Sequence, residues 1–269
     1  SATVTSEEIA RLQSHFIDPD FAAAQDFDFA DLRLQHPKFS RWLAQNVFAH
    51  KQPGYASVTL STKVTGIPPG DVTDKQMDSV AQWSEEFGYG EICISHEQNF
   101  VLPHVAQSSL FALWQAACAN GLGEANKGQL TDMICCPGGD YCSLANAKSI
   151  PVAEAIQRRF DDEDYLHDLG ELDVNISGCM NACGHHHVGH IGILGVDKKG
   201  SEFYQISVGG HSGHSGEQAA LGQILGPSFA RDEVPDIIEK ILNVYTNNRY
   251  SGESFLATFR RIGIDPFKE

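Results

Sequence analysis

Five of the seven cysteines lie in two short stretches, and these stretches constrain the fold more than any other feature of the 269-residue chain. The first reads ICCPGGDYCSLANA and contains Cys135, Cys136 and Cys142. The second follows about forty residues later, reads SGCMNACGHHHVGHIG and contains Cys179 and Cys183. In a chain too long to need disulfide bonds for stability, clustered cysteines indicate a metal site or a catalytic site. We therefore expect the fold to bring the two stretches together.

The charge and hydropathy of the chain exclude two classes of partner. With 35 acidic and 19 basic residues the net charge is -16, so the overall field does not attract nucleic acid or anionic lipid. The acidic surface fits either a basic protein partner or a face that only keeps the protein soluble. No run of about 18 apolar residues and no signal-peptide pattern is found, which predicts a cytoplasmic protein without membrane contact.

The first 125 residues predict an arm and a small domain. Residues 1–39 combine a short helical pattern, SEEIARLQSHF, with the alternating stretch DFDFADLRL, and are interpreted as an N-terminal arm or linker. Residues 40–125 follow the order strand, helix, strand pair, helix, which is typical of a small α+β domain. Asp71 or Thr73 is expected to cap the first of these helices, whose apolar positions are Met77, Val80, Ala81 and Phe87. The isolated Cys93 and Cys118 are expected in the core.

Residues 126–269 predict a second, mixed α/β unit that contains both cysteine stretches. LTDMIC and LDVNIS are predicted strands, and LANAKSIPVAEAIQRRF is a predicted helix that is interrupted or restarted at Pro151. The acidic segment DDEDY is expected to be a loop. Residues 188–208 are predicted to form a hairpin with DKKG as its turn, followed by helices in VPDIIEKILNVYTNNRY and ESFLATFRRIG.

The spacing of the cysteines favours an iron-sulfur cluster but leaves alternatives open. Cys136 and Cys142 form a C-x5-C pair and Cys179 and Cys183 a C-x3-C pair, and four thiolates can hold zinc or a cluster. Structural zinc pairs usually enclose about two to four residues, so the wider first loop suits the larger 4Fe-4S cluster better. Zinc and unmetallated core cysteines remain alternatives. Cys135 in place of Cys136 would give C-x6-C.

Glycines flank both pairs, at positions 138 and 139 in the first loop and 178 and 184 around the second. A glycine allows the backbone to approach an inorganic core closely and to direct N-H groups at its sulfur atoms.

The paired motifs resemble the signature of the siroheme-containing sulfite and nitrite reductases. In that family C-x5-C is followed by G-C-x-N-x-C-G and an I-G-x-x-G tail, and this chain has CCPGGDYCSLANA and ISGCMNACGHHHVGHIGILG. Upstream, RWLAQNVFAHKQPGYASVTLSTKV, VTDKQM and HEQNFVLPHV resemble the ferredoxin-like domain that precedes the signature. The resemblance covers residues 40–230. It implies an α+β fold in which a ferredoxin-like half domain (40–125) precedes a siroheme and 4Fe-4S domain (126–269).

The resemblance also implies roles for individual residues. Cys136, Cys142 and Cys179 would be cluster ligands, and Cys183 would be the catalytic, shared ligand that also binds the siroheme iron. Cofactor-binding positions would be Asn181, which matches the family asparagine, together with Gly184, Gly209 and Gly210. Met180 replaces the family's usual proline.

Six histidines near these positions have open roles. His211 and His214 lie in GGHSGHSG, whose backbone N-H groups would either meet a siroheme carboxylate or belong to a flexible loop. Contact with the cofactors, metal binding and ordinary packing remain alternatives for His185, His186, His187 and His190.

The implied reaction is the six-electron reduction of a small inorganic anion. Sulfite is favoured because GHHHVGHIGILG is similar to bacterial assimilatory sulfite reductases, and nitrite is the alternative. The donor would be ferredoxin or a flavoprotein. Siroheme and its substrates are anionic, yet no cluster of Arg or Lys flanks either cysteine pair; Arg158, Arg159, Lys198 and Lys199 are interpreted as helix and turn surface. We therefore expect this chain to be the C-terminal half of a longer reductase, partnered by its N-terminal half.

Overall fold

The computed structural model describes residues 4–213 and 218–268, and within them two β-sheets each support their own hydrophobic core. The first sheet is antiparallel with the order β1-β2-β4-β3. The elements of this part of the chain are α1 (Ser6–Gln13), α2 (Ala30–Gln35), α3 (Pro37–Asn46), β1 (Val47–Ala49), β2 (Tyr55–Leu60), α4 (Asp74–Phe87), β3 (Cys93–Ile94), β4 (Phe100–Ala106) and α5 (Leu110–Ala119). From β2 onward they follow the predicted order of strand, helix, strand pair and helix.

Helix α4 shows how local chemistry sets an element boundary. Thr73, one of the two predicted caps, accepts a hydrogen bond from the Gln76 backbone N-H at 3.2 Å, and the Gln76 side chain accepts one from the Thr73 N-H at 2.9 Å. This reciprocal pair satisfies two N-H groups that the first helical turn leaves without partners. The buried face consists of Val80, Trp83 and Ser84. Of the apolar positions named in the sequence, Val80 is buried and Phe87 packs against the core, whereas Met77 is 53% exposed.

The segment before α2 lies against the first sheet. Phe21 packs its ring among His50, Tyr55, Tyr89 and His104 at centroid distances of 5.1 to 5.4 Å. The Tyr55 hydroxyl donates to a backbone carbonyl of the same segment, Ala22 O, at 3.0 Å. These contacts hold residues 21 and 22 on the sheet although they belong to no helix or strand.

The second sheet has the order β5-β6-β7-β8-β9, and it is parallel from β5 to β7 and antiparallel from β7 to β9. Strands β7 and β8 form the predicted hairpin, with Lys198 opposite Ser201. The intervening Lys199 and Gly200 have φ angles of 56° and 83°, as a two-residue type I′ turn requires. The elements are β5 (Ile134–Cys135), α6 (Ile150–Arg159), α7 (Glu163–Leu169), β6 (Val174–Ser177), β7 (Ile191–Lys198), β8 (Ser201–Val208), β9 (Gln223–Ile224), α8 (Val234–Asn248) and α9 (Phe255–Ile262).

Two local predictions for this part of the chain need correction, and a third is decided in favour of one of its alternatives. The acidic segment expected to be a loop begins α7, because the Asp162 side chain caps it by accepting from the Tyr165 N-H at 2.8 Å. The predicted strand in LTDMIC shortens to Ile134–Cys135. The helix expected over LANAKSIPVAEAIQRRF starts at Ile150, with Pro151 in its first turn, as the restart alternative proposed.

The expectation that Cys93 and Cys118 lie in the core is wrong, since both are exposed. Cys93 is on the edge strand β3, both of whose residues are exposed. Cys118 is on the outer side of α5, whose buried positions are Leu110, Leu113 and Ala117. Burial here follows the position on an element rather than the residue type.

A buried ion pair joins the part of the chain that contains the first sheet to the part that contains the second. Lys63 follows β2, Asp132 precedes β5, and the side chains are 0% and 1% exposed with Nζ and Oδ1 3.6 Å apart. The Lys63 ammonium also donates to Glu97 O at 2.6 Å and to Asn99 Oδ1 at 2.9 Å. Burial lowers the pKa of Lys63 to about 8 and raises the pKa of Asp132. The pair therefore depends on its hydrogen bonds to compensate for the loss of water.

Among residues 4–213 and 218–268, every helix is too short or too polar to cross a bilayer.

Removing one member of the buried pair should be far more costly than removing a surface pair. Lys63→Met leaves the Asp132 carboxylate buried without this counterion, and we expect a loss of about 3–5 kcal/mol in the free energy of unfolding. Lys38→Met, which breaks a pair with Glu163 whose side chains are 77% and 50% exposed, should cost no more than about 1 kcal/mol. Chemical denaturation of both variants measures the difference. Equal losses would show that the buried pair does not stabilise the junction.

Candidate metal centre

The two cysteine loops begin at the same edge of the second sheet. Strands β5 and β6 are parallel neighbours, with Ile134 opposite Asn175 and Cys135 opposite Ile176. The Cys136 N-H continues this ladder by donating to Ile176 O at 3.1 Å. Because parallel strands end at the same edge, the loops Cys136–Cys142 and Cys179–Cys183 leave the sheet side by side. The structure thus confirms that the two stretches meet.

Backbone hydrogen bonds then hold the loops against each other. Gly178 O accepts from the N-H groups of Asn146 and Ala147 at 2.8 and 3.0 Å, and the Gly139 N-H donates to Ala147 O at 2.9 Å. A Cβ added to Gly178 would lie 2.7 Å from Ala147 O and 2.8 Å from the Cα of Gly138. Gly178 is therefore needed because the two loops touch.

The Cys136 thiol faces the second loop. Its Sγ accepts a hydrogen bond from the Gly178 N-H at 3.0 Å and lies 3.4 Å from the Ser149 hydroxyl. Cys135 points the other way, is 3% exposed and belongs to the hydrophobic core. Burial raises the pKa of the Cys135 thiol, which disfavours the thiolate that a metal ligand requires. Of the two adjacent cysteines, Cys136 is the one presented to the neighbouring loop.

The remaining cysteines of the motif differ in exposure. Cys179 is buried, Cys142 is half-buried and Cys183 is exposed. Ala182 and His185, on either side of Cys183 and Gly184, have φ angles of 58° and 55°, so the chain turns sharply there. Three large apolar side chains are exposed around these loops, namely Tyr141, Leu144 and Met180. Asn181, a predicted cofactor-binding residue, is exposed as well.

In the part of the chain that the structure describes, no three His, Cys, Asp or Glu side chains are grouped as ligands of one metal ion. A 4Fe-4S cluster is larger than a single ion and holds its four thiolates farther apart. The donor set fits a cluster in two respects: the two cysteine pairs lie on loops that leave the same edge of the sheet, and a backbone N-H already points at the Cys136 sulfur. Such N-H···S bonds tune cluster potentials.

A cavity of about 880 Å³ lies between the two halves beside the second loop. His185, Asn175 and Ile134 line it from the cysteine side. Phe48 and Glu97 line it from the part of the chain that contains the first sheet, and Lys127 lines it from the segment between the two sheets. The Lys127 ammonium lies 3.1 Å from Glu97 Oε1 and 3.6 Å from Asp132 Oδ2, so carboxylates neutralise the cation of this cavity.

The histidines that follow the second loop do not converge. His190 is buried and its Nδ1 accepts from the Asp173 N-H at 3.1 Å, which makes it part of the packing. His186 is buried, and its ring lies against that of His187 with the centroids 3.9 Å apart. The loss of water around His186 and, to a smaller extent, the neighbouring His187 lower the pKa of His186 to about 4. His185 and His187 are exposed. His211 is buried and stacks on His190 at 5.9 Å, whereas His214 lies outside the described residues.

Close packing requires glycine at positions 209 and 210. Gly209 has a φ of 82°, and an added Cβ would lie 2.0 Å from the Phe259 ring. A Cβ on Gly210 would lie 2.5 Å from Gly189 O. These contacts explain why glycine is needed at both positions, and cofactor binding by their N-H groups stays a prediction.

Sequence reasoning missed the residues that hold the first loop from outside the motif. Ser149 contacts the Cys136 thiol, and Gln98 pairs with the Cys135 backbone at 3.0 and 3.1 Å. The signal for Gln98 was its place in the polar turn of the predicted strand pair. The sequence pattern did not show that this turn contacts strand β5 of the second sheet.

Comparison with known proteins identifies the family. Residues 127–269 match the nitrite and sulphite reductase 4Fe-4S domain, and residues 49–120 match the nitrite/sulfite reductase ferredoxin-like half domain. The chain therefore belongs to the nitrite and sulphite reductase family, and its fold is a ferredoxin-like half domain followed by a 4Fe-4S domain. The predicted family and fold class are confirmed.

Individual relatives differ in how much of their length this chain covers. It is 27% identical over 223 residues to a ferredoxin-nitrite reductase of Synechococcus elongatus, covering 79% of this chain and 41% of that protein. It is 24% identical over 181 residues to an assimilatory-type sulfite reductase of Nitratidesulfovibrio vulgaris, covering 67% of this chain and 78% of that protein. The NirA protein of Mycobacterium tuberculosis has a similar fold, with a TM-score of 0.67 at 24% identity over 82% of this chain and 41% of that one. The chain thus spans less than half the length of the nitrite reductase and of NirA.

Because the loops touch, alanine substitution should lower the stability at one glycine of the motif and leave it nearly unchanged at another. Gly178→Ala places a Cβ against backbone atoms that cannot move aside, and we expect a loss of about 1–3 kcal/mol in the free energy of unfolding. The control is Gly139→Ala, whose Cβ would be 3.4 Å from its nearest neighbours, an ordinary contact. Denaturant unfolding measures both. A Gly178→Ala protein as stable as the control would contradict the close packing of the loops.

Burial of His186 predicts a pH-dependent stability. Its pKa is about 4 in the folded chain against an ordinary 6.5, so between these values the unfolded chain binds more protons. The free energy of unfolding should therefore fall as the pH drops from 6.5 to 4, by at most about 1.4 kcal/mol per pH unit. His186→Gln does not titrate and should lack this part of the decline. Parallel pH curves for the two proteins would rule out the effect.

Proposed function

We propose that this chain is the C-terminal half of an assimilatory sulfite reductase hemoprotein that reduces sulfite to sulfide in the cytoplasm. In this proposal Cys136, Cys142, Cys179 and Cys183 hold a 4Fe-4S cluster, and Cys183 is shared with siroheme. Asn181, Gly184, Gly209 and Gly210 would lie along the cofactor. The electrons would come from ferredoxin or a flavoprotein.

The observation that carries the proposal is the contact between Cys136 and the second loop. The Gly178 N-H to Cys136 Sγ bond of 3.0 Å joins the residue before Cys179 to the first cysteine of the other pair. The four thiolates of the motif would hold a cluster, which would supply one-electron redox chemistry. The protein's part would be to hold four thiolates on two loops at one edge of a sheet, and the backbones of these loops touch.

The exposure of the cysteines suits the division of roles among them. Cys179 is buried and can be a ligand shielded from water, whereas Cys183 is exposed on the outer surface of the loop. A shared ligand must face both the cluster and the siroheme, so an exposed position favours Cys183 for it.

Nitrite reduction to ammonia is the second candidate. The full-length relatives named as ferredoxin-nitrite reductases include those of Synechococcus elongatus and Spinacia oleracea, at 27% and 26% identity. The assimilatory-type sulfite reductase at 24% identity favours the first candidate. Both reactions need the same cysteine arrangement, so the substrate has to be measured.

The test of the cofactors uses the protein purified anaerobically from its source. We expect about four iron and four sulfide per chain and a porphyrinoid absorption band, because four thiolates match one cluster. Cys183→Ser should lose both cofactors, whereas Cys118→Ser, an exposed cysteine outside the motif, should keep them. One zinc per chain, or a colourless protein, would support a zinc-bound or cofactor-free module instead.

The same preparation tests the substrate and the division into halves. Steady-state reduction of sulfite and of nitrite with reduced methyl viologen should give the larger kcat/KM for sulfite, and the reverse order would favour the second candidate. An intact protein of 269 residues with full reductase activity would contradict its being half of a catalytic unit.

A further inference from the structure

Strand β5, which leads directly into the first cysteine loop, is an edge strand with one neighbour. The sheet order places β6 on one side of it, and the described residues provide no strand on the other. The Cys136 N-H bonds toward β6. Along a parallel strand, successive residues bond to opposite sides, so the N-H and C=O of Cys135 point to the open side. Buried backbone groups need partners, and these two face away from the ladder.

A side chain from the other half supplies both partners. Gln98 Oε1 accepts from the Cys135 N-H at 3.0 Å, and Gln98 Nε2 donates to Cys135 O at 3.1 Å. One carboxamide thus makes the two bonds that a neighbouring strand residue would make. Gln98 lies in the turn between β3 and β4, so this pairing crosses from the ferredoxin-like half domain to the 4Fe-4S domain.

Gln98 is itself fixed by its surroundings. Its φ of 65° lies in the left-handed region that residues other than glycine seldom adopt. The turn holds it there: its N-H donates to Ser95 O at 3.0 Å, and its C=O accepts from the Thr62 hydroxyl at 2.6 Å. On the other face, a Cβ added to Gly70 would lie 3.1 Å from the Gln98 Cβ. A backbone conformation of this kind persists where the neighbouring structure determines it.

The next residue extends the same contact. Asn99 is 1% exposed, and its Nδ2 donates to Asp132 Oδ1 at 2.8 Å. Asp132 is three residues before Cys135, so consecutive side chains of one turn hold the segment that enters the loop. The backbone at Cys135 therefore has less freedom to shift than a two-residue strand would by itself.

We propose that Gln98 is a positioning residue for the first cysteine loop. Its carboxamide completes the hydrogen bonding of the edge strand at Cys135 and so fixes where the chain enters Cys136. The consequence for a cluster rests on the proposed function, in which Cys136 is a ligand; the effect on the loop does not. The Gln98 side chain hydrogen-bonds the Cys135 backbone and acts through it.

Hydrogen exchange at the Cys135 amide tests this in the metal-free chain. Gln98→Ala removes both bonds, and each is worth enough that we expect exchange at this amide to become about tenfold faster or more. Gln98→Glu keeps the acceptor for the Cys135 N-H but loses the donor to Cys135 O, so its exchange should be intermediate. The alkylation rate of the Cys136 thiol should rise in the same order.

The matched control is Gln107→Ala. Gln107 accepts from the Phe27 N-H at 2.8 Å and donates to Asp26 Oδ1 and Tyr55 O, each at 3.3 Å. Its removal deletes a comparable set of amide hydrogen bonds in the same half domain, at the N-terminal segment. We expect its Cys135 exchange to equal that of the wild type. Equal exchange in wild type and Gln98→Ala, or equal acceleration in Gln98→Ala and Gln107→Ala, would overturn the proposal.

Cluster reconstitution separates this proposal from the proposed function. If the wild-type chain takes up iron and sulfide, Gln98→Ala should bind less of both or show a changed electron paramagnetic resonance spectrum of the reduced cluster, and Gln107→Ala should match the wild type. A changed exchange rate with unchanged iron content and spectrum would overturn the consequence for the cluster. If the wild-type chain takes up no iron, the proposed function fails, and the exchange ratio still decides the role of Gln98.

Discussion

The pairing of β5 with β6 is the interaction on which the candidate site depends. It brings two cysteine pairs, about forty residues apart in sequence, to one edge of a sheet. Yet its register comprises two residue pairs, Ile134 with Asn175 and Cys135 with Ile176. So short a ladder gives little stability of its own, because few backbone bonds offset the entropy of ordering the chain. The remaining stability has to come from contacts at the loops and from the other half domain.

Glycine provides the loop contacts through close approach. An added Cβ would lie 2.0 Å from Ile176 O at Gly184, 2.0 Å from His186 O at Gly192 and 2.9 Å from Gly178 O at Gly195. These distances are shorter than real Cβ contacts, so each position requires glycine for the chain to pack on itself. The glycines of GCMNACG and HIGILG therefore have a reason in folding that exists before any cofactor binds. A motif of this kind identifies a fold and its metal site together, which explains why it is so informative.

Features set by residues adjacent in sequence were predictable, whereas features that depend on contacts between distant residues were not. The Lys199-Gly200 turn and the Thr73 cap follow from residues adjacent in sequence, and both were predictable. The burial of Lys63 was not, because it depends on Asp132, nearly seventy residues away in the other half. The cysteine motif predicted which loops meet. It could not show that a turn of the preceding domain completes the strand at Cys135, since an isolated glutamine carries no periodic pattern.

The charges around the site argue for a partner. Siroheme carboxylates and the anionic substrates need cations that are not already neutralised. Lys148, next to the first loop, lies 3.0 Å from Asp140, and Lys127 in the cavity is bound to Glu97 and Asp132. Arg158 and Arg159 pair with carboxylates of α6 and α8, as expected for helix surface. With these cations committed and a net charge of -16, the chain supplies thiolates and backbone N-H groups more readily than positive charge. Under the proposed function, the anion-binding cations would therefore come from another segment, and the exposed surface of Tyr141, Leu144 and Met180 around the cysteine loops is where that segment would approach.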